Sequence, residues 1–326
     1  MNDVWSTCID LDGYPAPTVS WTPAARAEDR SALQPWRAAV GPVRVANAPG
    51  VAWRWPLTVA VWNARVGGGA IRSLWAHLAR DRSPVILLLQ EVFATGPDLP
   101  EAGPAAAWAP RIADEPQSER RTDIVSFARD TGLSLLYVPS MRNGGPDGGF
   151  PEDRGNAILA NVPLSSPRAI ELSFERQRRV AAAATVTTAE DDIAFCSCHL
   201  DNRAPWRYMW RTLGSARERQ MAGLLDAFPG SVAQRAFVLG GDFNTWVGGR
   251  REPAYRLARD HFPLPREPDP NPTHHFELGG WLRHSDHLMF RLPPGWRGEY
   301  RRLDDTFGSD HYPLVGMVGP PSGSQP

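Results

Sequence analysis

The chain has 326 residues, 42% of them hydrophobic, with 35 basic against 36 acidic side chains and a formal charge of −1. That size supplies a core for one large α/β domain or two ordinary ones, and the near-neutral balance excludes the global positive field of a nucleic-acid coat protein. Every basic residue is Arg, so lysine-based P-loop, Schiff-base and kinase-type chemistry is excluded and phosphate handling falls to Arg, His, metal or backbone amides.

Cys8, Cys196 and Cys198 make neither a disulfide framework nor a zinc-ligand spacing, which suits a reducing compartment. The opening MNDVWSTCIDLDGYPAPT is acidic and broken by prolines, unlike a signal peptide, and no apolar run approaches membrane-spanning length. These features lead to the expectation of a cytoplasmic chain with no transmembrane segment, acting as a monomer.

Residues 1–56 are rich in Pro, Ala and Trp and lack sustained periodicity, which predicts an N-terminal extension that packs irregularly. From residue 57 onward short apolar runs recur: Leu57 to Trp62, Val85 to Gln90, Leu133 to Val138, Asn156 to Asn161, Val180 to Thr187, Ile193 to His199, Phe237 to Gly241, Asp286 to Arg291 and Tyr312 to Val318. Their length and β-branched or leucine-rich composition predict buried strands. Helical patterns occupy Ala70 to Arg82, Thr122 to Thr131, Ser215 to Ala227 and Pro253 to Asp260. The runs on either side of Ala189-Glu-Asp-Asp192 read as a hairpin, so the sheets are at least partly antiparallel and the fold class is an α/β sandwich. The folded part is expected to span 57–318, with 319–326 a flexible tail.

Polar residues close several of these strands. Leu57–Trp62 leads to Asn63, Val85–Gln90 to Glu91, Ile193–Cys198 to His199, and Phe237–Gly241 to Asp242 and Asn244. Ligands bind outside strand ends in open α/β structures, and a carboxylate closing an apolar strand is costly unless a charge such as a divalent cation compensates it. Read alone, Glu91 fits a surface ion pair as well, and Gly240-Gly-Asp-Phe-Asn-Thr245 fits an Asx-turn. Ser285-Asp-His287 and Ser309-Asp-His311 repeat an Asp-His pairing that also fits ordinary turns. Adjacent strand residues point to opposite faces, so Asp286 reaching across to His311 is a better orienting pair than Asp310 with its own neighbour.

The ordered segments Val61-Trp-Asn63, Leu89-Gln-Glu-Val92, Arg154-Gly-Asn-Ala-Ile158, His199-Leu200, Gly241-Asp-Phe-Asn244, Ser285-Asp-His287 and Gly308-Ser-Asp-His-Tyr-Pro313 together resemble the motif series of the endonuclease/exonuclease/phosphatase superfamily across residues 57–318. The resemblance implies a four-layer α/β sandwich with two facing mixed sheets flanked by helices, and metal-dependent hydrolysis of a phosphate ester. It further implies Mg²⁺ or Mn²⁺ held by Asn63 and Glu91 with Asp310 close by, Asp242 positioning or activating water, and Asn244 stabilising the pentacovalent phosphorus. His311 oriented by Asp286 would act on phosphate or water, and His199 would protonate the leaving oxygen or bind phosphate. Arg154 suits a phosphate fork, while Asn156 suits either phosphate contact or a turn. His274, His275, His284 and His287 read as solvated loop residues, and Arg176, Arg178 and Arg179 as either a solvated face or a phosphate track.

Within such a superfamily the substrate ranges over DNA, RNA, nucleotides, inositol phosphates and sphingolipids. A nuclease-like phosphodiesterase leads, with nucleic acid among the candidate partners, ahead of a lipid or inositol phosphate phosphoesterase. A non-catalytic binding module would have lost one of Glu91, Asp242, Asp310 or His311, and none is missing. The segment Asp201–Arg211, with Trp206, Tyr208 and Trp210 interleaved with Arg203, Arg207 and Arg211, suits base stacking, a lipid interface or plain packing.

Overall fold

The computed structural model describes residues 6–8, 17–52, 55–80, 83–100, 108–109, 121–143, 152–188, 191–202, 214–228, 236–245, 248–275 and 284–321. The aromatic and arginine segment after Asn202 lies outside them, apart from Asp201 and Asn202 themselves. One sheet runs in the order β1 (Ser6–Cys8), β3 (Val43–Ala46), β7 (Ser134–Asn143), β8 (Glu152–Ala160), β5 (Val85–Thr95), β4 (Leu57–Asn63), β15 (Leu314–Gly319) and β14 (Arg297–Arg302), with β6 (Trp108–Ala109) beside β7. The other runs β13 (Asp286–Arg291), β12 (Ala236–Asp242), β11 (Asp192–His199), β10 (Val180–Thr187), β9 (Ser165–Glu171) and β2 (Ser20–Thr22).

Alternation along the strands explains why both sheets are covered twice. Val59 and Val61 of β4 face the other sheet while Ala60 and Trp62 face outward, and in β12 Ala236 and Val238 face inward while Phe237 and Leu239 do not. Strands apolar on both faces need a layer on each side. The inner faces meet in one core that takes residues from both sheets, including Leu88, Ile158, Val180, Phe195 and Phe290. On the outer face of the first sheet lie α2 (Ile71–Leu78) and α3 (Ile124–Thr131), through Leu74 and Phe127. On the outer face of the second lie α4 (Ser215–Asp226) and α5 (Pro253–His261), through Leu224 and Ala258. The result is the expected four-layer sandwich of helices, sheet, sheet and helices. The sheets are mixed: β4 with β5 and β11 with β12 are parallel, whereas β10 and β11 form the expected antiparallel pair.

The described part of residues 1–56 is more regular than its composition suggests. β2 extends the second sheet beside β9, β3 pairs with β7, and α1 (Ala27–Ala38) lies between them in sequence. Pro35 stands inside α1, yet Leu33 and Trp36 are buried. Packing of these two side chains outweighs the hydrogen bond that a proline removes from a helix. No helix among the described residues is long and apolar enough to cross a membrane.

Candidate active site

Two of the parallel pairings, β4 with β5 and β11 with β12, stop at the same edge of the sandwich. Asn63 pairs with Gln90 where β4 ends and its pairing with β5 stops, and His199 pairs with Asp242 at the end of β11 and β12, whose next neighbour in register is Asp286 at the start of β13. Carboxyl ends of parallel strands open a crevice where side chains from different strands converge. Here the crevice is a cleft of about 300 Å³ whose lining includes Asn63, Glu91, His199, Asp242, Asn244, Asp310 and His311.

Glu91 is aimed by a break in the ladder. β5 pairs regularly with β8 up to Leu89 and resumes at Val92, one register off, and Glu91 between them has φ 52°. A bulge re-aims a side chain, and a left-handed non-glycine residue costs energy that the surrounding sheet must hold in place. Gln90 locks the bulge by donating to Leu88 O at 3.0 Å and to Ser197 Oγ at 2.9 Å across the sandwich.

Asp242 sits at the centre of the cleft floor. It accepts hydrogen bonds from Asn63 Nδ2 at 3.0 Å and from the Asn244 backbone N–H at 2.9 Å, with His199 Nε2 at 3.4 Å. The second of these is an Asx-turn, with Asn244 at φ 53°, so the turn and the clustering of polar groups hold together. Asn244 Nδ2 donates to Leu200 O at 2.9 Å. His311 Nδ1 lies 2.8 Å from Asp286 Oδ2, and its Nε2 faces Asp242 Oδ2 at 3.9 Å and Asp310 Oδ1 at 4.0 Å. Ser309 fastens this loop by donating to Asn63 O at 2.7 Å while accepting from His311 N–H at 3.1 Å. Arg154 and Asn156 lie off the main cleft, in a smaller cavity that shares Glu91 and His199 with it.

A family model described as the Endonuclease/Exonuclease/phosphatase family matches residues 60–316. The chain belongs to this family. Members of the endonuclease/exonuclease/phosphatase family share the fold at low identity. A protein of this family from Leptotrichia buccalis C-1013-b is 15% identical, with TM-score 0.55 over 81% of this chain and 99% of that one. One from Beutenbergia cavernae DSM 12333 is 18% identical, with TM-score 0.56 over 81% of this chain and 72% of that one. Sphingomyelinase C from Streptomyces griseocarneus is 15% identical, with TM-score 0.53 over 82% of this chain and all (100%) of that one. Comparison with curated proteins gives no match.

The electrostatics of this endonuclease/exonuclease/phosphatase cleft separate His199 from His311. Burial works against a charged His311, but the carboxylates of Asp286, Asp242 and Asp310 outweigh it and raise its pKa to about 10. His199 is driven the other way, well below its ordinary value, by burial and by Arg179 and Arg154 behind it. At neutral pH, without a bound cation, His311 is an imidazolium and His199 a neutral imidazole. Burial and the neighbouring charge of Asp286 push Asp242 upward, against the pull of His311 and of the donors at Asn244 and Asn63.

The donor set fits a hard divalent cation. Asn63 Oδ1, Glu91 and Asp310 offer oxygen ligands on one cleft, and Asp310 meets Arg65 Nε only at 3.8 Å and His274 Nε2 only at 3.7 Å. Arg65 has no signal in the sequence, and His274, expected as a solvated loop residue, lines the cleft instead. His274 belongs to a segment that crosses between the sheets: Leu264 bridges to Phe290, and His274 bridges to His311, with ring centroids 4.5 Å apart. His274, Asp310 and His311 bring their donor atoms within 4.8 Å of one another. His287 is buried against Thr245, Phe243 and Tyr255, away from the cleft lining. Arg178 and Arg179 are buried as well, so neither forms a solvated face.

Proposed function

We propose that the protein hydrolyses phosphate esters with the help of Mg²⁺ or Mn²⁺. The observation that carries the reading is the convergence, in one cleft, of a bulge-aimed Glu91, a buried Asp242 and an Asp286-oriented His311. Asn63, Glu91 and Asp310 are the residues that would hold the cation. Bound there, a divalent ion neutralises charge that develops on the phosphoryl oxygens.

The chain's own groups divide the remaining work. Asp242, whose burial favours taking up a proton, orients the attacking water and receives its proton. Asn244 gives one amide N–H to Leu200 O, which leaves its second for a phosphoryl oxygen. His311, held by Asp286 through Nδ1, presents a protonated Nε2 to the phosphate or to the departing oxygen. His199, neutral and close to Asp242, is a hydrogen-bonding partner for phosphate.

Among phosphate esters we place a nuclease-like phosphodiester first. The support is a cleft flanked by guanidinium groups, with Arg65 at its mouth and Arg154 and Arg179 behind it. The test is hydrolysis of plasmid DNA, single-stranded RNA, sphingomyelin, an inositol polyphosphate and bis-p-nitrophenyl phosphate, each with Mg²⁺, Mn²⁺ or EDTA. Turnover that needs the cation and disappears in Asp242→Asn is the expected result, with DNA or RNA preferred. A folded protein that cleaves none of them under any metal overturns the enzyme reading, and a preference for sphingomyelin overturns the choice of substrate.

A further inference from the structure

Three consecutive facts single out Arg179. It is 3% exposed, its side chain makes no hydrogen bond or ion pair among the described residues, and its Nε is sealed from solvent. Its neighbour in space, Arg154, is 8% exposed, and among the described residues its side chain has a single hydrogen-bond partner, the Met141 sulfur at 3.2 Å from Nη2. Its neighbour in sequence shows what a structural arginine looks like in this fold: Arg178 is fully buried but donates to Glu171 Oε1 at 2.7 Å and to the carbonyls of Pro139 and Ser140. Asp201, Glu91 and Asp242 act on Arg179 through space, but no carboxylate among the described residues hydrogen-bonds either guanidinium, and a buried charge held that loosely beside a second like charge is costly. Such a pair persists where something else supplies the negative charge.

Both guanidinium side chains line a cavity of about 10 Å³, along with Asn156, Glu91 and His199. The last two also line the main cleft, so the cavity opens beside the metal and phosphate position rather than at a remote surface. Its volume matches one water-sized atom. Asn156 Nδ2 donates to Val180 O at 2.7 Å, which ties β8 to β10 across the sandwich and fixes the wall next to Arg179.

We propose that Arg154 and Arg179 form an anion pocket that receives one phosphoryl oxygen of the ester bound in the cleft, and that Arg179 is a positioning residue for the reacting group. This rests on the phosphate-ester reading above. The pocket is too small for a whole phosphate, so the body of the group stays in the larger cleft between Glu91 and His199 while a single oxygen enters between the guanidinium groups. The two guanidinium groups then gain a hydrogen-bonded anion only when substrate is in place. That arrangement requires an ester with a free anionic oxygen on this side, as phosphate monoesters and diesters have.

The experiment reads thermal unfolding of the whole protein in EDTA, titrated with inorganic phosphate, for wild type, Arg179→Met and Arg179→Lys. Without a cation, phosphate binding reports the protein's own donors and not the metal ligands, the Arg179 variants read the share of the arginine pocket, and a ligand that binds only the native state raises the Tm. Expected are a rise in wild type, at least about a tenfold loss of phosphate affinity in Arg179→Met, and an intermediate loss in Arg179→Lys, which keeps the charge but not the fork. Ligand-free Arg179→Met is expected to melt no lower than wild type, because an unpaired charge is removed. A wild type that does not respond to phosphate, or an Arg179→Met that responds as wild type does, overturns the proposal. So does a ligand-free Arg179→Met that melts lower while keeping its phosphate response, since that marks a structural arginine. Should Arg179→Met fail to fold, Arg179→Lys decides alone, and undiminished phosphate affinity in it overturns the pocket. Cation-dependent turnover without a phosphate response in EDTA sinks the pocket and leaves the esterase reading standing. A phosphate response lost in Arg179→Met, in a protein that cleaves no ester, does the reverse.

Discussion

Asp242 and Asp286 are both buried carboxylates at paired positions of β12 and β13, yet their partners differ. Asp286 spends one oxygen on His311 Nδ1, and its backbone N–H is held by Thr273 Oγ1 at 3.0 Å, so it is a fixed counter-charge. Asp242 accepts from a side-chain amide and a backbone amide and still faces the cleft. Replacement of Asp242 by Asn is therefore expected to lower turnover by about 10²- to 10⁴-fold, the range for loss of a general base, in protein that remains folded by circular dichroism. A loss below tenfold in steady-state kinetics would move the base elsewhere. Asp286→Asn removes the largest of the charges that raise His311, and burial then dominates. The His311 pKa should fall from about 10 to its ordinary value or lower, and NMR titration of its ring proton in cation-free protein measures this. An unchanged pKa would mean that Asp242 and Asp310 hold the imidazolium unaided.

At the scale of strands, the end-of-strand polar residues are readable from sequence because each follows an apolar run that has to stop. The bulge is not readable. Nothing in Leu89-Gln-Glu-Val92 says that Glu91 takes a left-handed backbone, since that depends on the register of β8 across from it. β9 and β14 escape for a similar reason: β9 begins Ser-Ser-Pro, and β14 is a polar edge strand with only Gly298 buried. Gly240 and Gly241 carry a packing constraint that the motif alone does not explain. A Cβ on Gly241 would lie 1.8 Å from Cys198 O on the parallel neighbour β11, and one on Gly240 would lie 2.2 Å from Val61 Cγ2 in the facing sheet. Gly241→Ala must separate β11 from β12, at about 3 kcal/mol or more. Gly132, the left-handed cap of α3, has open space around its Cβ position, so Gly132→Ala should cost only about 1 kcal/mol. Urea denaturation of the two variants tests the ranking, and equal losses would show that the strand pair yields more easily than its contacts indicate.

For the molecule as a whole, what sequence could not reveal is how distant segments are brought to one place. His274 reaches the cleft because residues 264–275 run from one sheet to the other, and Arg179 is buried because β10 packs across β8; neither path is written in local periodicity. The N-terminal segment is joined to the first sheet in the same long-range way. Asp153 of β8, 1% exposed, accepts from Gly41 N–H at 2.7 Å and from Tyr137 Oη at 2.6 Å. Burial raises its pKa to about 6, against the opposing pull of those donors and of Arg44 and Arg142. A carboxyl whose folded value exceeds its unfolded one binds more protons in the native state between the two values. Its contribution to stability is then full below pH 3.8 and is lost as pH rises through about 6. At about 1.4 kcal/mol per unit, the loss is at most about 3 kcal/mol. Asp153→Asn cannot ionise; its amide oxygen accepts from the Gly41 N–H and its amide N–H donates to the Tyr137 hydroxyl, which can turn to accept. Other groups, among them His199 and His287 with lowered values, shift stability in the opposite sense as the solution is acidified, so the comparison has to be a difference. The unfolding free energy of wild type minus that of Asp153→Asn should decline between pH 4 and pH 6 and level off above. A flat difference would show that Asp153 is ionised throughout this range, and that Arg44 and Arg142 outweigh its burial.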